Sequence, residues 1–536
     1  MKLRNASSHM FSLAPQANVQ RSSFDRTFKH KTTFNAGDLI PILVDEVLPG
    51  DTFSVSMTGF GRLATPIFPL MDNLYLDTFF FFVPNRLLWT NWQKFCGERE
   101  NPDDSIDFIV PELDAPATTG FVSGSLFDYF GMPIGVPNLE THGLFHRAYN
   151  LIWNEWFRDE NLQDSVVVDK DNGPDSPSDY VILKRGKRHD YFSSALPWPQ
   201  KGDAVDLPLG TTAPVVHAGG YPTFTDGTNV EGLRYTASPS NVPNWTGTPL
   251  SGGQVYWANT ALQADLTHAT AATINSIREA FQIQRFLEKD ARGGTRYIEL
   301  IRSHFNVVSP DARLQRPEYL GGGSTPVNIT PVAQTSSTDA TTPQGNLAGF
   351  GTVSPYGHGF SKSFVEHGIL MGFVVIRSEL SYQQGLDRMF SRQTRYDYFW
   401  PVLAHLGEQA ILNKEIYRDG SANDDLVFGY QERYAEYRYK RSLVTGLFRT
   451  EATGTLDSWH LAQYFSSLPV LTDGEFIKEN PPMARVKAVV SEPDFIFRKF
   501  FRSFSILAGK KFFIWHKIPP YALFLFLLPS LVLTLS

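Results

Sequence analysis

Cysteine is almost missing: Cys96 stands alone among 536 residues. One thiol forbids an internal disulfide framework and any cysteine-based zinc site, so a secreted, disulfide-stapled protein is not expected. Charge is sparse too, at 19% of residues with a formal net charge of −7. The chain is therefore no bulk polycation drawn to nucleic acid. Met1 to Phe34 has no continuous apolar run and hence no secretory signal, and folding in a reducing cytoplasm is expected. Catalytic signatures are also missing, with neither a Walker A string nor a G-x-S-x-G elbow. Gly59-Phe-Gly-Arg-Leu-Ala64 fits a loose dinucleotide fingerprint, but Thr65-Pro66 follows where a phosphate-binding helix would have to begin. His142 and His146 lack the intervening glutamate of a zincin motif and read as ordinary histidines at a helix start. Asp103-Asp104 and Asp424-Asp425 read as solvated turns, and the acceptor patterns at Asn244 and Asn328 carry no weight without a secretory signal. No metal, no cofactor and no enzymatic activity are expected.

Aromatics and turn formers are abundant: 42 Phe, 21 Tyr and 10 Trp beside 41 Gly and 35 Pro. That pairing points to many strands joined by long loops, and the length alone suggests roughly three to four domains. Phe53, Val55 and Met57 alternate with polar residues, the mark of a sheet with one buried face. Leu74 to Val83 is too apolar to alternate and predicts a strand covered on both faces; Ile369 to Arg377 and Ala484 to Ser491 predict further strands. Strands so scattered must pair over long distances, as in a sandwich or jelly roll whose connections carry insertions. Phe145, Tyr149, Ile152 and Trp156 predict a packing helix over 144–159, and Ile274, Ile277 and Phe281 a second over 274–290.

The segments between are distinct in composition. Residues 1–34 carry six cations (Lys2, Arg4, Arg21, Arg26, Lys29, Lys31) against Asp25 alone, which makes either a solvated terminus or a basic arm on an anionic partner. Residues 207–264 hold three charges in 58 and read as an ordered, neutral surface protrusion with Tyr221, Phe224, Trp245, Tyr256 and Trp257. Residues 321–361 hold one charge in 41 and read as a loop. Core segments are expected over 35–206 and 265–497. One constellation suggests chemistry: Lys184, Arg185, Lys187 and Arg188, followed by Tyr191, Phe192 and Trp198. Cations neutralise phosphates and aromatic faces stack unpaired bases; a solvated charged turn is the alternative.

Longer strings carry a resemblance. Lys31-Thr-Thr-Phe34, Asp45-Glu-Val-Leu-Pro-Gly-Asp-Thr-Phe53 and Ala148-Tyr-Asn-Leu-Ile-Trp-Asn-Glu-Trp-Phe-Arg-Asp-Glu-Asn-Leu-Gln163 resemble the major capsid proteins of the gokushovirus branch of the microviruses. So do Arg188-His-Asp-Tyr-Phe-Ser-Ser-Ala-Leu-Pro-Trp-Pro-Gln-Lys-Gly202, Glu288-Lys-Asp-Ala-Arg-Gly-Gly-Thr-Arg-Tyr297, Arg316-Pro-Glu-Tyr-Leu-Gly-Gly322 and Met483-Ala-Arg-Val-Lys487. The matches run in order over about residues 20–497. The resemblance implies a mainly β fold, an eight-stranded antiparallel viral jelly roll with large loop and helix insertions. It implies a T=1 icosahedral shell built from copies of the chain around circular single-stranded DNA, assembled in the cytoplasm of the bacterial host. A small basic internal protein would help pack that DNA, and the 207–264 loop would meet a receptor on the host cell. Arg21, Arg26, Lys29 and Lys31 of the arm, with Lys184, Arg185, Lys187 and Arg188, become the interior, DNA-facing candidates. A lectin-like jelly roll that binds host sugars without forming shells is the rival.

The resemblance fails at residues 498–536. No acid follows Asp494, six cations do, and the stretch from Ile518 to Ser536 is uncharged. A shifted reading frame, a buried or interface tail, and a membrane segment interrupted by Pro519, Pro520 and Pro529 all fit this pattern; a membrane partner is not expected.

Overall fold

The computed structural model describes residues 21–63, 66, 68–206, 215–217, 223–225, 230–235, 243–245, 256–257, 262–264, 274–308, 315–335, 338, 344–481, 501–507 and 510–514. Two compact units divide the chain: residues 1–199 with 295–536, and residues 200–294.

The first unit is a mainly antiparallel jelly-roll sandwich. Its opening strands are β1 (Arg21–Asp25), β2 (Lys29–Thr32), β3 (Ile40–Val47), β4 (Thr52–Leu63) and β5 (Leu74–Pro84). Strand β4 alternates buried and solvent-facing residues without a break, as its Phe53-Val55-Met57 period predicts. Strand β5 is apolar on both faces because both are covered. Leu74, Leu76, Phe80 and Phe82 join β4 in the sandwich core, while Phe81 and Val83 enter a second core on the opposite face.

After β5 come two single-turn helices, α1 (Trp92–Phe95) and α2 (Leu126–Tyr129), and a small ribbon of β6 (Glu112–Asp114) with β7 (Glu140–His142). Helix α3 (Leu144–Trp156) then lays Leu144, Ala148, Tyr149, Ile152 and Trp153 on the second core. The helix is as expected, but its buried stripe is rotated: Phe145 is half-buried and Trp156 is 37% exposed. One cause is Arg147, which is wholly buried. Its guanidinium donates from Nε to Asp175 Oδ2 at 2.8 Å and from Nη2 to Oδ1 at 2.5 Å, and from Nη1 to the carbonyls of Leu88 and Asp171. A buried charge is tolerated only when so paired, so this contact fixes which side of α3 faces inward.

The second unit holds β8 (Val215–His217), β9 (Thr223–Thr225), β10 (Val230–Tyr235), β11 (Pro243–Trp245), β12 (Tyr256–Trp257), β13 (Leu262–Ala264) and α4 (Ile274–Gly293). Strands β11-β10-β9-β12 form one small sheet and β13-β8 another. Helix α4 departs from expectation: Ile274 is 71% exposed and Phe281 61%, and among its residues only Ala291 is buried.

Back in the first unit follow α5 (Tyr297–Phe305), β14 (Glu318–Ala333), β15 (Leu347–Val353), β16 (Tyr356–Ser363) and β17 (Gly368–Ser378). The loop expected over 321–361 is therefore strand in large part. Its low charge and Gly-Thr-Ser composition hid three strands whose identity comes from distant partners. At Gly322 a Cβ would come within 2.0 Å of the Thr78 carbonyl, and at Gly323 within 2.4 Å of the His358 ring. Glycine here lets β14 lie close to its neighbours. The strand expected at 484–491 falls outside the described residues.

The last elements are β18 (Glu408–Leu412), α6 (Asn413–Ile416), β19 (Val427–Glu432), α7 (Gly474–Ile477), β20 (Phe501–Leu507) and β21 (Lys510–Ile514). The main sheet runs β1-β21-β4-β15-β14-β5-β17-β3, with β16 and β20 also on β4 and β2 on β20. These are eleven strands where eight were expected, and four of them, β1, β2, β20 and β21, come from the terminal segments. Three layers result: a β4/β16 ply, a β3-β17-β5-β14 ply, and α3 with its surrounding loops. A third cluster, around Phe192, Tyr382, Ile411 and Ile416, holds the β18–β19 hairpin region.

His146, on α3, lies between the rings of Phe127 (4.8 Å), Phe130 (4.9 Å) and Tyr180 (5.3 Å), and among the described residues neither imidazole nitrogen has a hydrogen-bond partner. Burial pushes its pKa down from 6.5 to about 3. The unfolded chain thus binds a proton below its ordinary pKa that the folded chain refuses until about pH 3, so stability falls as pH drops through that window. At pH 5 the loss from this group is about 2 kcal/mol. His146→Phe is expected to remove that part of the fall, read as the change in urea midpoint between pH 7 and pH 5.

Candidate assembly and nucleic-acid surfaces

The basic arm is not free coil where it is described. Strand β1 pairs with β21 (Arg21 opposite Ile514), and β2 pairs with β20 (Lys29 opposite Leu507, Lys31 opposite Ser505). Lys29 and Lys31 are exposed. Arg26 is exposed too, but its Nη1 donates to Asp45 Oδ2 on β3 at 2.6 Å. The tail beyond Asp494 thus supplies two strands to the main sheet, and residues 515–536 lie outside the described set, as does the side chain of Arg21. Among the described residues no helix is long and apolar enough to cross a membrane.

The four cations at 184–188 have four different fates. Lys184 Nζ lies 3.4 Å from Asp38 Oδ1, where backbone bridging already joins the two residues. Burial raises the Asp38 carboxyl, and Lys184 opposes that rise. Arg185 Nη1 donates to Asp77 Oδ2 and its guanidinium stacks 5.0 Å from the Phe79 ring. Lys187 is a correction: it is buried, with Nζ 4.6 Å from the Phe476 ring centroid. The reason is its backbone, whose N–H donates to the Ile477 carbonyl and carries the side chain under 474–479. Burial pushes the Lys187 ammonium down to about 8, against the upward pull of Glu479 and Asp190. Arg188 alone is exposed and makes no ion pair among the described residues. Tyr191 and Phe192 belong to the third core, not to a stacking surface.

Asp77 organises what lies beneath Arg188. It accepts from Arg377 Nε at 2.8 Å and from Ser324 Oγ at 2.6 Å as well as from Arg185. Burial would raise its carboxyl, but Ser324, Arg185 and Arg377 outweigh burial and hold it below the usual range. These residues come from 75–79, 185–188, 319–324 and 377, and only strand register brings them together. The sequence offered no local pattern for Arg377, Tyr319 or Tyr75.

Of the aromatic loop, Phe224, Trp245, Tyr256 and Trp257 lie on strands, with Phe224 opposite Trp257 across β9 and β12. Their side chains, and all of Tyr221, are outside the described set. His142 and His146 do not converge on a metal, and among the described residues no group of three His, Cys, Asp or Glu is placed to hold one. Other parts of the surface are unusually apolar. Val402 is 89% exposed, Ile109 76% and Phe390 70%. Sequence reading missed the ring-and-guanidinium surface at 392–400 and 433–439, where Arg392 lies 4.3 Å from the Tyr437 ring and Arg395 4.7 Å from that of Tyr396.

A sandwich with large apolar residues on its surface has a counterpart among known proteins. The sequence model of a family described as "Capsid protein (F protein)" matches residues 12–507. The chain belongs to that capsid protein family. Capsid protein VP1 of Bdellovibrio phage phiMH2K is 50% identical over 501 residues, covering 91% of this chain and 93% of that one. Capsid protein VP1 of Chlamydia phage 1 is 43% identical, with 92% and 95% covered, and that of Spiroplasma virus 4 is 36% identical, with 90% and 91% covered. The resemblance read from residues 20–497 is borne out. F-protein family members are structural capsid proteins, not enzymes, which accords with the missing catalytic motifs.

Asp77→Ala leaves two guanidiniums, one of them in the 6%-exposed Arg377, without their acceptor. Its expected cost is about 3–5 kcal/mol. Arg188→Ala should stay within about 0.5 kcal/mol of the parent. Parallel urea titrations of the two variants check the contrast.

Proposed function

We propose that the chain is the subunit of a T=1 icosahedral shell that encloses circular single-stranded DNA. The family match over residues 12–507 carries the reading. In shell formation each copy buries apolar surface against neighbours of the same kind, and many modest interfaces add up to a closed particle. Val402, Phe390 and Ile109 support it, because large apolar residues this exposed on a folded chain ask for a covering partner. That partner is another copy.

The basic arm faces the genome in this reading, with Arg21, Arg26, Lys29 and Lys31 near phosphates. An acidic chain of net charge −7 neutralises little DNA itself, so a small basic internal protein supplies the rest. The 207–264 segment faces outward and meets a receptor on the host cell. The particle assembles in the host cytoplasm.

Sedimentation and electron microscopy of the purified chain are expected to show closed shells; monomers under all conditions would overturn the reading. Phe390→Asp with Val402→Asp should reduce shell yield at least about tenfold, since burying an unpaired charge at a contact is costly, while circular dichroism stays unchanged. Removing residues 215–255 should abolish host attachment and spare assembly. Shells lost along with attachment would make the segment a structural one.

A further inference from the structure

One face of the β3-β17-β5-β14 ply continues past the part that α3 covers. By the two-residue period of a strand, Tyr75, Asp77 and Phe79 extend the face that carries Phe81. Ser324 lies opposite Asp77 on β14, and Arg377 opposite Tyr75 on β17. Together they floor an open concavity of about 640 Å³, with Arg185, Arg188 and Tyr319 on its walls. That volume falls in the range of small-ligand sites, about 300–1,000 Å³.

Charge, rings and backbone define what fits. The lining carries three guanidiniums and one carboxylate, Asp77, with Glu379 at its margin accepting from Tyr75 Oη at 3.2 Å, so it stays net positive within a chain that is negative overall. Asp77 takes one N–H each from Arg185 and Arg377, and Arg188 is uncommitted. The Arg377 guanidinium lies 4.4 Å from the Tyr75 ring centroid. Tyr319, 42% exposed, lies 6.4 Å from Phe79 and 6.0 Å from Trp156, over which Arg316 stacks at 4.5 Å. Rings and planar cations therefore alternate along the face. Gly322 and Gly323 add no side chains to the floor.

Guanidiniums recognise phosphate, and aromatic faces stack bases that are not already stacked. A free anion would use the first group and leave the second idle. A duplex would keep its base faces to itself. We propose that this concavity binds a stretch of single-stranded nucleic acid, with Arg188 and the free N–H groups of Arg185 and Arg377 on phosphate and a base on Tyr319. The proposal rests on the capsid reading only for the source of the strand.

The test uses the full-length chain and an oligo(dT) carrying 5-iododeoxyuridine. After irradiation, cross-links are expected in the peptides holding Tyr319 or Tyr75. Tyr319→Leu should weaken oligo(dT) binding roughly five- to a hundredfold and leave an abasic oligomer of equal length unaffected; Tyr319→Phe should restore binding. Arg188→Ala should weaken both ligands and lower the slope of log affinity against log salt by about 0.7. Cross-links confined to other segments, with Tyr319→Leu binding like the parent, overturn the proposal, whether a second copy or nothing covers the concavity. Sedimentation of the same samples separates the two readings. Shells whose DNA never cross-links here reject the site alone, and a chain that cross-links at Tyr319 without assembling rejects the shell alone.

Discussion

Strand β5 has no place to go that its own neighbourhood can provide. Both its faces are apolar, Leu74, Leu76, Phe80 and Phe82 on one and Phe81 and Val83 on the other, so it must be flanked by layers on both sides. Each such side chain fully buried contributes roughly 1.5–3 kcal/mol, and exposing either face would forfeit several of them. The β4/β16 ply satisfies one face and α3 the other. The edges of β5 are satisfied by β14 and β17, far along the chain. The rest of the first unit follows from this double coverage: α3 must be present and pinned, and Arg147 is the pin.

Long separation between partners is less costly than it looks, because loop closure grows only logarithmically with length. A sheet whose neighbours are already hundreds of residues apart can carry a whole compact unit, residues 200–294, in one connection. The same economy lets the chain's two ends contribute strands, β1 and β2 against β21 and β20. Insertions then become the natural carriers of surface function.

Legibility in the sequence followed locality. The β4 alternation, the unbroken β5 run and the β17 run were readable because period and polarity act over a few residues. Helix α3 was readable in extent but not in phase, since a buried arginine outvoted the apolar stripe. Strands β14 to β16 were not readable, because Gly, Ser, Pro and Asn interleave their β-branched residues and mimic a loop, and their pairing partners β5 and β4 lie more than two hundred residues away. The cations at 184–188 look equivalent in the sequence. What sorts them is Asp38, Asp77 and the 474–479 segment, all more than a hundred residues away. The concavity under Arg188 drew on four separate segments and left no local trace.

The topology also governs how the molecule is made. Pro84 closes β5 about 290 residues before Ser378 closes β17, so at about 5–20 residues per second the ribosome needs roughly 15–60 s to deliver the missing edge. Until β14 emerges Leu74 to Val83 is a sticky ribbon with no edge partner on a nascent chain, and until β17 emerges one edge stays open. Many ribosomes translating one message would hold such ribbons close together, and crowding there favours mispairing between chains. Spacing between ribosomes then matters to the yield of folded subunit, beside the stability of the finished fold.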